Sequence, residues 1–215
     1  MSTPWLKAVL AATAGGFLLV SAHSGALAQD QPPAPDKEVP EELFLPRDIP
    51  DDIGDKNKLL EDLYTQLSRS GSADEAKAVT EAIERLWLRS GSDTIDLLMS
   101  RTAKLIDDKK YDVALKLLDS IIELEPDYPE AWTRRAAIQF AKKQYGDSVE
   151  SLRHALALDP SHYKAIEGLA LVMQELNEKE RALQIFRRAL KVHPHLEDAL
   201  QAVQELSREV EGQGI

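Results

Sequence analysis

From Asp55 onward, apolar residues recur at intervals of three and four, the spacing that places them on one face of an α-helix. Leu98, Leu105 and Ile106 share one such face; Leu115, Leu118 and Ile122, with the neighbouring Ile121, share another. No stretch alternates with the period of two that a half-buried strand requires. The pattern predicts helices paired as 57–70 with 73–89, 93–108 with 111–125, 129–142 with 145–159 and 163–176 with 179–193. A last helix covers 197–211. Connections of two to four residues force consecutive helices to lie antiparallel.

Three helix stops are spaced evenly. Pro126, Pro160 and Pro194 each follow an acidic residue or histidine, and they stand 34 residues apart. Proline lacks a backbone donor and drives the preceding residue out of the helical region, so each marks a turn. Equal spacing points to a repeated unit of fixed length.

In the window 163–196, Ile166, Leu169, Ala170 and Met173 precede Ala182, Phe186, Ala189 and Pro194. The window 129–162 supplies Trp132, Ala136, Ser148, Leu152, Ala155 and Pro160, and the window 95–128 supplies Leu98, Thr102, Leu105, Ala114, Leu118, Ile121 and Pro126. This arrangement resembles the tetratricopeptide repeat, with its W-x2-L-G-x2-Y, A-x3-F and P positions. The resemblance implies an all-α, right-handed solenoid of antiparallel helix pairs: three clear repeats, a divergent repeat over 57–94 and a capping helix over 197–211. In the divergent repeat, Leu60, Leu63, Tyr64, Leu67, Ala76 and Ile83 align. Small residues at Ala155 and Ala189 belong at helix crossings. Thr102 replaces the family's small residue and implies a looser first pair. Arg101 and Arg135 occupy family leucine positions with stems that can pack. The cap presents Leu200, Val203 and Leu206 on one side.

The same resemblance implies a concave face, lined by the first helix of each pair, that binds a peptide or a partner helix. Carried over by position, the partner-binding residues are Met99, Ala103, Thr133, Ala137, Phe140, Glu167 and Leu171, an apolar surface flanked by acid. The alternative is that part of this stripe is ordinary core between repeats or is covered by the Phe44-Leu45 segment. A related subfamily clamps the terminal carboxylate of chaperones with lysine, asparagine and arginine. This chain has Met99, Ala103, Arg134 and Gly168 at the corresponding positions and keeps only Lys164, so that clamp is not assembled.

The N-terminal region differs. MSTPWLK carries one charge, Lys7; Ala8 to Ala22 form an apolar run of 15 residues; and Ala26-Leu27-Ala28 is a small-x-small site. These features resemble a secretory signal peptide over 1–28, cleaved after Ala28, and imply export, with a bacterial periplasm as the expected destination. The alternative is a retained anchor, although the run falls short of the roughly 20 residues that span a bilayer. Residues 29–54 hold six prolines among acidic residues and read as an extended linker. Within it, Phe44 and Leu45 are candidates to dock on the folded part.

Charge and composition narrow the chemistry. The 215-residue chain carries −11, or −12 without Lys7, which opposes binding to nucleic acid and to anionic membranes. With no cysteine, there is no disulfide and no thiol nucleophile. No metal-binding spacing of histidines occurs, and His193-Pro194-His195 reads as a solvated turn. No cofactor and no catalytic residue is expected. The expected role is a protein-protein interaction module or scaffold in cell-envelope assembly or maintenance. A self-associating homo-oligomer is the alternative, and an envelope-processing enzyme using surface carboxylates or histidine is a remoter one.

Overall fold

The computed structural model describes residues 53–212, all of whose regular elements are helices. The signal segment, the Phe44-Leu45 cluster and nearly all of the linker lie outside the described residues. The helices are α1 (Ile53–Ser68), α2 (Ala73–Trp87), α3 (Asp93–Asp107), α4 (Tyr111–Leu124), α5 (Pro129–Ala141), α6 (Tyr145–Leu158), α7 (Tyr163–Glu175), α8 (Lys179–Val192) and α9 (Glu197–Glu211). Helix α1 starts inside the stretch expected to be linker. It begins three residues after Pro50, and Asp55 in its first turn suits the positive end of the helix dipole.

The 34-residue period is written into the backbone. After α4, α6 and α8 the last amides, of Glu125, Asp159 and His193, donate to Ile121, Ala155 and Ala189, and a proline follows each. Within each pair, α3, α5 and α7 end on Lys109, Lys143 and Asn177, all left-handed with φ near 60°. The next amide reaches back to Leu105, Gln139 or Met173, the long bond of a Schellman turn. Two of these three positions hold lysine, so no glycine signals the turn.

Packing follows the small residues. Ala136, Ala155, Ala170 and Ala189 are fully buried. The Ser148 hydroxyl donates to the carbonyl of Ala136 at 2.9 Å, so α6 approaches within hydrogen-bond reach of the α5 backbone. Contact is most extensive between α5 and α6 and between α7 and α8, and it is slighter between α3 and α4, where Thr102 replaces alanine. Arg135 lies over Trp132, and Arg101 is exposed. The inner face of α9 is Ala199, Ala202, Val203, Leu206 and Val210; Leu200, expected on that face, is 46% exposed. Val203 and Leu206 lie on this face as expected, and Ala199 is buried there in place of Leu200.

The first hairpin forms as expected but does not stack as a repeat. Ser72 caps α2 by accepting from Glu75, and the Glu75 carboxylate accepts from Gly71, a reciprocal capping arrangement. Leu63, Leu67, Ala76, Val79, Ala82, Ile83 and Leu86 bury a shared seam. Helix α2 makes at most marginal contact with α3, whereas α1 packs against α8. The same seam takes in Tyr163, Val192 and Leu196, far along the chain. The hairpin therefore lies across the turns between later repeats instead of extending the stack.

Ala155→Leu adds three carbon atoms to a fully buried crossing and is expected to destabilise the protein by about 1–3 kcal/mol. Thermal or urea unfolding measures it, and an unchanged midpoint would contradict the packing described.

Candidate functional site

The seven residues expected to line the concave face are mostly covered. Met99, Ala103, Thr133, Ala137, Phe140 and Glu167 are buried, and Leu171 is half-buried. Ala137 and Phe140 share one cluster with Leu171 and Val172, so the structure brings these members together. Met99 lies apart, among Ile95, Ile106, Tyr128 and Ala131. Thr133 returns its hydroxyl to the carbonyl of Pro129. In this conformation most of the stripe is core between adjacent first helices.

The polar chemistry gathers at the starts of α5 and α7 and on the turns before them. Glu130 and Arg134, one turn apart on α5, pair at 2.7 Å while both are buried. His162 Nε2 lies 3.3 Å from the other Glu130 oxygen. Burial pushes the Glu130 carboxyl up, but Arg134 and His162 outweigh it and hold it at about 2. Arg134 is thus committed to an internal pair and is not an open anion site.

The first hairpin covers this region. The Trp87 indole stacks on His162, centroids 3.8 Å apart and planes within 6°. Its Nε1 donates to Tyr64 Oη, which donates in turn to Asp159 Oδ2 at 2.5 Å. Tyr128 Oη donates to the carbonyl of Trp87. Glu84 accepts from Tyr163 Oη at 3.1 Å and pairs with Lys164 at 2.7 Å. Burial, followed by the neighbouring Asp159, raises the Tyr64 phenol well above its ordinary value, so it stays a donor.

The histidine turn is part of the same contact, which corrects the expectation of a solvated pair. His193 is buried, meets Tyr163 edge-on at 5.1 Å and is hydrogen-bonded to Thr80. Burial, then His195, lowers its pKa to about 4. His195 Nε2 lies 3.0 Å from the carbonyl of Ser70. The sequence pattern offers Tyr64 only as a repeat position and does not mark Trp87, Tyr128, Asp159 or His162 as site residues. The available signal was phase: Tyr128, His162 and Leu196 stand 34 residues apart, at the residue before each first helix.

Nothing here pairs a nucleophile with a base. Among the described residues no group of three or more His, Cys, Asp or Glu could hold a metal. Among them also, no helix is long and apolar enough to cross a membrane. Ring faces, a buried ion network and a helix-shaped seat are the equipment of recognition.

The geometry therefore defines a solenoid of helical hairpins. The tetratricopeptide-repeat family model matches residues 129–162. A TPR repeat-containing protein of Rhizobium etli is 34% identical over 153 residues, spanning 71% of this chain and 75% of that protein. The chain belongs to the tetratricopeptide-repeat family. Among solved structures, the first TPR of Spaghetti (RPAP3) bound to the HSP90 peptide SRMEEVD is 23% identical over 54% of this chain and 93% of that one, with a TM-score of 0.53. A crystal structure of MamA is 19% identical over 76% of this chain and 85% of its own, with a TM-score of 0.51. At these identities the structural likeness is one of fold.

Glu167 gives a prediction of sign. Burial, then Asp198, raises its carboxyl to about 8 against partial relief from Lys164. The fold favours the neutral acid, so its contribution is intact below the ordinary carboxylate value and is lost as pH rises toward about 8. Glu167→Gln is expected to melt near the parent at pH 4.5 and above it at pH 8. A pH-independent difference would contradict this placement.

Proposed function

We propose that the protein is an exported interaction module that holds a peptide or helix of a partner protein on the concave side of its repeats, in cell-envelope assembly or maintenance. The observation that carries the reading is that the turns and first-helix starts bordering this side already hold a helix. Helix α2 sits there with an aromatic ring stacked on His162 and a carboxylate on Lys164. A surface that seats one amphipathic helix by rings, hydrogen bonds and a cation has the means to seat another. The first TPR of RPAP3, a domain of similar fold, is bound to an HSP90 peptide, which supports peptide binding as a use of this fold. Chaperone tails themselves are poor candidates, because Arg134 is spent on Glu130 and Met99, Ala103 and Gly168 supply no clamp.

The partner-binding stripe is proposed to run from Met99, Ala103 and Thr133 through Ala137 and Phe140 to Glu167 and Leu171, with Leu171 as its accessible member. Export rests on the Lys7, Ala8 to Ala22 and Ala26-Leu27-Ala28 pattern.

Photo-crosslinking in cells from position 171 is expected to yield a discrete adduct with another protein, and position 113, where Val113 is exposed on α4, is expected to yield none. Identical adducts from both positions would sink the concave site. N-terminal sequencing of the mature protein is expected to begin at Gln29, and a chain starting at Met1 would overturn cleavage.

A further inference from the structure

The α1–α2 hairpin is attached in a way that lets it leave. Its internal seam of Leu63, Leu67, Ala76, Val79, Ala82, Ile83 and Leu86 stays with it as a unit. It is tied to the repeats by the short stretch 88–92, where Gly91 is left-handed at φ 95° and Ser90 is fastened to Asp96. It does not lean on α3, the neighbour a stacked repeat would use. Much of its hold on the repeats is instead polar and aromatic: Tyr64 on Asp159, Thr80 with His193, Glu84 on Lys164 and Trp87 on His162. Such bonds are individually modest in net strength because water replaces them on release.

We propose that this hairpin is a displaceable occupant of the binding surface, and that the partner displacing it is an amphipathic helix carrying an acidic side chain three residues before a tryptophan or tyrosine. The proposal rests on the interaction-module reading and specifies the chemistry of its partner. Glu84 and Trp87 define the register. Three residues apart on one helix, they point to the same patch, where Lys164 Nζ lies 2.7 Å from the Glu84 carboxylate and 5.9 Å from the Trp87 ring centroid. Tyr163 serves both, donating to Glu84 and meeting Trp87 at 4.8 Å. The groups that receive Tyr64, Glu84 and Trp87, namely Asp159, His162, Tyr163 and Lys164, come from one turn and the start of α7, while His193 in the turn after α8 receives Thr80. A resident competitor lowers apparent affinity by the fraction of time that it leaves the surface free.

The test uses the intact chain and, as probe, a fluorescein-labelled peptide of residues 73–88. Trp87→Ala in the chain removes the resident ring and is expected to raise probe affinity by about tenfold over the parent. Adding Lys164→Glu is expected to abolish the gain. A probe carrying Glu84→Lys and Trp87→Ala is expected not to bind. A second arm does not depend on Trp87→Ala folding: Thr80→Cys with His193→Cys places the chain's only two thiols across the contact, for bridging by a short bismaleimide. The bridged protein is expected to lose probe binding that the unbridged one shows. Equal binding with and without the bridge overturns the proposal, as does equal binding of both probes. A dimer in light scattering of Trp87→Ala, with no gain in probe binding, overturns it in favour of a second copy as occupant. Probe competition reads the hairpin and crosslinking from position 171 reads the function, so failure of either is distinguishable from failure of the other.

Discussion

A helical hairpin of about 34 residues has more apolar surface than it can hide within itself. Each pair buries one face between its own two helices and leaves another that only a neighbour can cover. That shortage fixes the period, because a turn one residue longer would rotate the next helix off its partner. It also fixes where side chains must be small. Ala136 admits the Ser148 hydroxyl to its carbonyl, and Ala155 and Ala189 leave room for the helices that cross them.

The repeats were legible because their determinants are local. Pro126, Pro160 and Pro194 stop helices through their own backbones, and the 3.6-residue stripe reports the buried face of each helix. The left-handed residues Lys109, Lys143 and Asn177 were not legible, because the turn imposes a conformation that lysine does not advertise. The exposure of Leu200 on α9 escaped for a related reason. Leu200 looks more hydrophobic than Ala199, but a crossing selects for size before hydrophobicity.

The placement of the first hairpin could not be deduced from periodicity. Leu63, Leu67 and Ile83 describe the same amphipathic pair whether it stacks on α3 or lies over the later turns. What decides is the set of long-range partners, such as Tyr64 with Asp159, 95 residues away, and Trp87 with His162. For the same reason, the seven residues inferred for the concave face are partly core: adjacent first helices approach closely around Ala137. A buried carboxylate such as Glu130 sits there without distress because Arg134 and His162 keep it charged. The site is thus built from residues that a stripe analysis treats as turn or surface.

The contacts between the first described hairpin and the turn after α8 change how such a molecule comes apart. In an open stack each unit touches only its neighbours, and loss of structure begins at whichever terminus is weaker. Here Ser70 meets His195 across 125 positions, and Thr80 meets His193 across 113. The terminal pairs are thereby fastened to each other, and fraying at one end must first break the belt that holds the other. Closing that belt is a non-local event, so it belongs late in folding, after the central pairs have nucleated from contacts near in sequence.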